Sequence, residues 1–308
     1  MKTIYLHIGT HKTGTTFLQN ILRENRDKLR EFDYYYPRSA IPNSSLPGHH
    51  LLPRSVSDAR EKFDEISKKT IVTDKIWNEL LEELKTQNLN KIIISSEDFC
   101  LLDHGEILKV REYLRDFRVE IIVYLRRQDE FLLSLYSELV KKGYYQNLES
   151  VLYEYEERFD YYSLLNTWAD VFAKDHLKVG IYQKSGVKNN LLFDFLAKID
   201  LHLDVQDLQL NSLTQNTSIN GKTIKILQFL NTMSFHYLSL PYEICQKAYL
   251  KRLQNPRPQK IFAMIPDFLI DNKILSNRLK EDILEKFKTM NQKIAEEFLS
   301  LTDQNLFH

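Results

Sequence analysis

Eight consecutive residues near the amino terminus, Gly9-Thr10-His11-Lys12-Thr13-Gly14-Thr15-Thr16, combine the residue types that hold a phosphate. Two glycines five positions apart let a backbone wrap until its N–H groups converge on an anion. A helix starting directly after them offers unpaired N–H groups and a positive dipole end to the same point. The order has the shape of a P-loop. In the form that binds ATP or GTP, a lysine follows the second glycine directly and a Ser or Thr then serves magnesium. Here Thr15 takes that position, and the lysine sits inside the loop at Lys12, where it could reach a group attached beyond the bound phosphate.

Such a loop needs a strand before it and a helix after it. Residues 2 to 8 read as a strand, and Phe17, Leu18, Ile21, Leu22 and Leu29 recur at helical spacing from Thr15 to about Arg30. Four prolines then forbid long regular structure from Tyr36 to about Ser57, an irregular excursion that carries His49 and His50. An amphipathic helix is expected from Asp74 to about Gln87. Short apolar runs at 91–96, 120–125 and 177–182 read as buried parallel strands, with helices near 106–117, 129–142, 148–157, 161–174 and 189–199 between or after them. Beyond about Asn211 the pattern is helical only, near 219–233, 241–253 and 276–301. The expected fold is α/β, a P-loop-type parallel sheet flanked by helices, with a helical C-terminal third. It is read as one domain over residues 1–308, its core at about 1–205 and a helical extension at about 206–308.

Composition narrows the function classes. Lys and Arg number 42 and Asp and Glu number 42, so no net field draws the chain to nucleic acid or to anionic lipid. A hydrophobic content of 43% with 12% aromatics supports a proper core and excludes a disordered chain. The two cysteines, Cys100 and Cys245, lack metal-ligand spacing and are expected as buried thiols. No apolar run approaches a membrane span and the first residues do not read as a signal peptide, so a cytoplasmic protein is expected, with a peripheral position at a membrane left open. Oligomeric state is not legible.

With Lys12 inside the loop and Thr15-Thr16 at the helix start, the chain resembles the sulfotransferase superfamily, whose 5′-phosphosulfate loop carries those features. The resemblance implies the donor 3′-phosphoadenosine 5′-phosphosulfate (PAPS), the product 3′-phosphoadenosine 5′-phosphate (PAP), no metal, and transfer of a sulfonyl group to a hydroxyl or amine. It assigns Gly9, Thr10, His11, Lys12, Thr13, Gly14, Thr15 and Thr16 to the 5′-phosphosulfate. The family's 3′-phosphate site pairs an Arg at a strand end with a Ser eight residues on. Arg126 and Ser134 have that spacing here. A guanidinium at a strand tip and a hydroxyl two helical turns later can clamp one phosphate from two directions. Tyr182 falls where cytosolic relatives put an adenine-contacting Tyr, although Gln183-Lys184 follows it in place of Glu-Asp. The late Gly-rich, Trp-containing loop of those relatives has no counterpart, which moves the resemblance towards bacterial and carbohydrate-type members.

The resemblance also implies the chemistry. Sulfonyl transfer needs a cation for the leaving phosphate and a base for the acceptor's proton. Lys12 is the cation. Glu97 inherits the position at which cytosolic relatives carry a His, and burial can bring a carboxylate towards neutral pH. His49 and His50 compete as bases, because an imidazole titrates near neutral pH without special burial. His11 could donate to the sulfonyl oxygens. The expected acceptor is a glycan or glycolipid hydroxyl; a small hydrophobic alcohol such as a sterol is the variant within the class. Tyrosines at 34–36, 144–145, 153, 155 and 161–162 suit either acceptor, and a basic stretch, Lys251 to Lys260, suits an anionic one. The reading from a different class is a P-loop nucleotide kinase, for which Glu97-Asp98 could serve magnesium. A binding protein without turnover is a third.

Overall fold

The computed structural model describes residues 1–42, 46–58, 73–183, 187–203, 207–210, 220–238, 270, 272–301 and 306–307. Cys245, the expected helix at 241–253 and the basic stretch at 251–260 lie outside them. The described elements are, in order, β1 (Thr3–His7), α1 (Thr15–Glu24), α2 (Arg26–Glu31), β2 (Tyr34–Tyr35), α3 (Leu51–Val56), α4 (Thr73–Thr86), β3 (Lys91–Ser95), α5 (His104–Tyr113), β4 (Arg118–Arg126), α6 (Gln128–Lys141), α7 (Leu148–Glu154), α8 (Tyr161–Phe172), β5 (Leu177–Tyr182), α9 (Val187–Lys198), α10 (Gly221–Leu238) and α11 (Asn277–Leu299). No described helix is long and apolar enough to cross a membrane.

Five strands form one parallel sheet in the order β2-β3-β1-β4-β5. Alternation along each strand sends side chains to opposite faces, and both faces are buried. Ile4, Leu6, Ile92, Ile94, Ile121 and Val123 join a core with Trp77, Ile107, Trp168 and Ile294 from α4, α5, α8 and α11. Tyr5, Ile93, Ile122 and Tyr124 face the other way, against Leu18, Leu29 and Phe195 of α1, α2 and α9. The layers are therefore helix, sheet, helix, as the apolar runs require.

The chain divides into two compact units that interleave along the sequence. The first holds Met1–Arg126, Tyr161–Thr214 and Met290–His308, and contains the whole sheet. The second holds Arg127–Asp160 and Gln215–Thr289. Within the second, Asn231 of α10 donates from Nδ2 to the carbonyls of Val140 and Tyr144, both at 2.9 Å, and so ties α10 to the end of α6. Phe131 and Phe159 meet edge to face at 5.0 Å between ring centres.

Local structure departs from the sequence reading at three places. The helix expected from Thr15 to Arg30 breaks at Asn25, whose Nδ2 caps Ile21 O at 2.9 Å while also donating to Gln209 O. Tyr34 and Tyr35, in a tyrosine cluster, add an edge strand, and with Tyr36 they are core residues no more than 4% exposed. The Pro-rich excursion contains α3, held from behind by α5: Asp103 and Glu106 form a reciprocal cap, and Glu106 Oε1 also accepts from Ser57 Oγ at 2.8 Å and Asp58 N at 3.0 Å. Glu106→Ala should therefore lower stability by about 1–3 kcal/mol, through lost caps on two elements, as read from the urea midpoint at unchanged m value. An unchanged midpoint would mean that α3 does not depend on this carboxylate.

Candidate functional site

The end of β1 is the geometric origin of the site. His7 lies opposite Ser95 of β3 and Ile122 of β4, so the chain leaving β1 emerges between two strands at the carboxyl edge of the sheet. There the strand order reverses, because β3 lies on one side of β1 and β4 on the other. Ligands of open α/β sheets bind at such a switch point. Ile8 N continues the ladder to Ile122 O at 2.9 Å, and Thr10 donates from N and from Oγ1 to Tyr124 O, each at 3.0 Å. Thr13 Oγ1 closes the turn onto Thr10 O at 2.6 Å.

Both glycines are required by this path. Gly9 has φ +102°, and a Cβ there would stand 3.0 Å from Cα and Cβ of Glu97. Gly14 has φ +80°, and a Cβ would stand 2.6 Å from Leu191 Cδ2 and 3.2 Å from Tyr182 Cε2. Lys12 between them is also left-handed, at φ 63°. Gly14 is the N-cap of α1, and no side chain caps that helix. The first turn of α1, whose start no side chain caps, thus follows directly on the turned backbone of residues 9–14, with the half-buried Lys12 in the same turn; a helix start of this kind favours an anion.

Arg126 and Tyr182 end their strands opposite each other in the β4–β5 register. The Arg126 guanidinium, 7% exposed, lies 5.2 Å from the Tyr182 ring centre and donates from Nη1 to Lys12 O at 2.9 Å. Tyr161 OH reaches Arg126 O at 2.9 Å. Arg126, Tyr182, Lys12 and Gly14 are therefore one neighbourhood. Ser134 lies half-buried on α6 in the second unit.

On the β3 side, Glu97 begins a 3-10 turn that runs to Leu101. It is half-buried, and its Oε2 accepts from Gln19 Nε2 at 2.8 Å. Gln19, wholly buried on α1, shares that amide with Ser95 Oγ at 3.3 Å, and Ser95 Oγ meets His7 Nδ1 at 2.8 Å. His50 Nδ1 lies 2.9 Å from Ser96 Oγ and 3.4 Å from Asp98 Oδ2. Asp98 is also gripped by Arg54 Nε at 2.7 Å and lies 3.4 Å from His11 Nε2. Burial opposes a charge on Asp98, but hydrogen bonds from His11 and His50 prevail and hold its carboxyl well below the usual range.

His49 has a different environment from its neighbour. It is fully buried, its Nδ1 accepts from Ser95 N–H at 3.2 Å, and its Nε2 faces Pro37 O at 3.2 Å. With both nitrogens engaged it has no lone pair to offer an acceptor. His7, Gln19 and Arg54 were not among the residues that the sequence singled out for the site, and Asp98 and Tyr161 entered only as a magnesium ligand of the kinase reading and as part of a tyrosine cluster. Of the first three, Gln19 alone left a trace, a polar residue among the apolar positions Leu18, Ile21 and Leu22 of α1.

No family model matches the chain. An uncharacterized protein of Archaeoglobus fulgidus is 29% identical over 214 residues, which is 69% of this chain and 55% of that protein, so the chain spans about half the length of the curated relative it matches. Among solved structures, the crystal structure of a sulfotransferase from Alicyclobacillus acidocaldarius is similar, with a TM-score of 0.44 and 14% identity over 76% of this chain and 94% of that one.

The buried imidazoles carry a pH signature. Burial pulls His7 and His49 down to about 4 from an ordinary 6.5, against opposing charge from Glu97 and backbone hydrogen bonds respectively. Between pH 6.5 and 4 the unfolded chain binds these protons and the native one does not, so stability falls with pH in that window. The loss from pH 7 to pH 5 should be about 2 kcal/mol for each histidine. His49→Gln should flatten the profile of urea midpoint against pH by its share. A profile with no slope between pH 5 and 6.5 would contradict the neutral assignment.

Proposed function

We propose that the chain is a sulfotransferase that takes a sulfonyl group from PAPS and passes it to a hydroxyl of a glycan or glycolipid, releasing PAP. The observation that carries this reading is the turn at 9–16, in which two glycines at positive φ and a left-handed Lys12 lead into the start of α1, which no side chain caps. An ATP-type loop would place its lysine after Gly14, where Thr15 stands instead. PAPS supplies the sulfonyl group. Residues 9–16 would hold its 5′ end, and Arg126 and Tyr182 its 3′-phosphoadenosine. The setting that accompanies this reading is cytoplasmic.

In this reading the chain's own groups divide the work. Lys12 supplies positive charge as the leaving phosphate develops its own. Glu97 takes the acceptor's proton: Gln19 fixes one carboxylate oxygen at 2.8 Å, which leaves Oε1 to act as the base. His50 is the rival base, because its Nδ1 is oriented by Ser96 and Asp98 in the manner of a hydrogen-bonded imidazole base. Asp98, committed to Arg54 at 2.7 Å, is less suited to a metal than the kinase reading needs. Both catalytic candidates lie within the first unit, beside the close approach of Gly9 to Glu97.

Titration calorimetry with PAP and with ATP plus magnesium separates the sulfotransferase from the kinase. PAP should bind more tightly, and Arg126→Ala should weaken PAP about tenfold or more while removing the preference for the 3′-phosphorylated nucleotide. Tighter ATP binding would overturn the reading. Transfer from radiolabelled PAPS to a panel of glycans, glycolipids and sterols tests the rest. Lys12→Ala and Glu97→Gln should each lower turnover at saturating donor by about a hundredfold or more, with nucleotide affinity largely kept. If His50→Ala is the slow variant and Glu97→Gln is not, the base is His50.

A further inference from the structure

Cys100 belongs to an aligned set of three groups on the loop side of the 3-10 turn. The residue is half-buried, and its sulfur lies 3.3 Å from Nδ1 of His11. The other nitrogen of that ring, Nε2, lies 3.4 Å from Oδ1 of Asp98, and Asp98 is itself locked by Arg54 at 2.7 Å. A nucleophile within reach of an imidazole whose far nitrogen faces a fixed carboxylate is the arrangement that activates a thiol. The His11 ring is 23% exposed, so the pair is reachable from solvent. Burial pulls the His11 ring down, but the charge of Cys100, hydrogen bonds to Asp98 and Cys100, and Glu97 outweigh it and push the ring up to about 10. The function described above makes no use of the sulfur.

We propose that Cys100, His11 and Asp98 form a reactive thiol site that exchanges with low-molecular-weight disulfides, and that the resulting adduct closes the 9–16 turn to anions. The proton of the Cys100–His11 pair is held on the imidazole, where Asp98 stabilises it through Nε2, and the sulfur attacks with its lone pair. A bond forms between Cys100 and one sulfur of the disulfide while the sulfur–sulfur bond of the reagent breaks. The departing thiolate takes the proton and leaves as a thiol. Cys100 is oxidised to a mixed disulfide, and the other half of the reagent is reduced. Because His11 is part of the turn, a group attached to the sulfur beside it occupies the approach to Lys12 and to the start of α1. That second half rests on the nucleotide reading of the turn.

The test uses the native chain and glutathione disulfide at pH 7, with the adduct followed by mass spectrometry and located by peptide mapping. Native protein should form the Cys100 adduct about tenfold faster than the same protein unfolded in urea, and about tenfold faster than His11→Gln. A native rate at or below the unfolded rate, or an unaltered rate in His11→Gln, overturns the thiol site; the comparison with unfolded wild type does not depend on any variant folding. The adduct should lose PAP binding by calorimetry and regain it after dithiothreitol. An adduct that binds PAP as before overturns the closure. Unmodified protein that fails to bind PAP overturns the nucleotide reading and the closure together, and the exchange rates still decide the thiol site.

Discussion

Because β1 is hydrogen-bonded along both edges, the chain that leaves it has a single way out, upward between β3 and β4. That constraint explains the rest of the site. The exit passes so close to the turn after β3 that only glycine fits at position 9. It must then reverse into α1, which requires left-handed backbone at Lys12 and Gly14. The same crowding that limits the sequence at these positions brings Glu97 on one side and Arg126 on the other to the loop that β1 feeds. Geometry made by sheet pairing is rigid, which is what the proposed anion cradle needs if binding is not to order the loop first.

Polar groups around this exit fall into two electrostatic regimes. His7, Ser95, Gln19 and His49 form a buried network in which the imidazoles stay neutral, because nothing nearby repays the loss of water around a charge. Three residues beyond Ser95, Asp98 is gripped by Arg54 and hydrogen-bonded by His50 and His11, and there these partners outweigh burial and hold the carboxylate charged. Glu97 stands at the border between the two, tied to the neutral network through Gln19 and still half-exposed. A base has to exchange its proton with a substrate, which is why Glu97 is the base in the proposed reading.

Much of this was legible in the residues themselves. The strand before Gly9 and the helix after Gly14 follow from an apolar run, two glycines and helical spacing. The later strands follow from short apolar runs, because a parallel sheet buried on both faces leaves no polar alternation. What stayed hidden was set by distant partners. The break at Asn25 is completed by Gln209, and the burial of His49 by the end of β3, so His49 read as a loop base when the fold had already occupied both its nitrogens. Cys100 was expected to be buried and is half-buried, its sulfur turned to a histidine 89 positions away. Asp98 and Arg54, 44 positions apart, carry no mark in either neighbourhood that they would meet.

A crystal structure with PAP bound tests the central claim most directly. The account predicts a phosphate enclosed by the backbone of residues 9–16 at the start of α1, with Lys12 beside it and the adenosine 3′-phosphate near Arg126. Nucleotide bound elsewhere on the protein, with that turn empty, would contradict it.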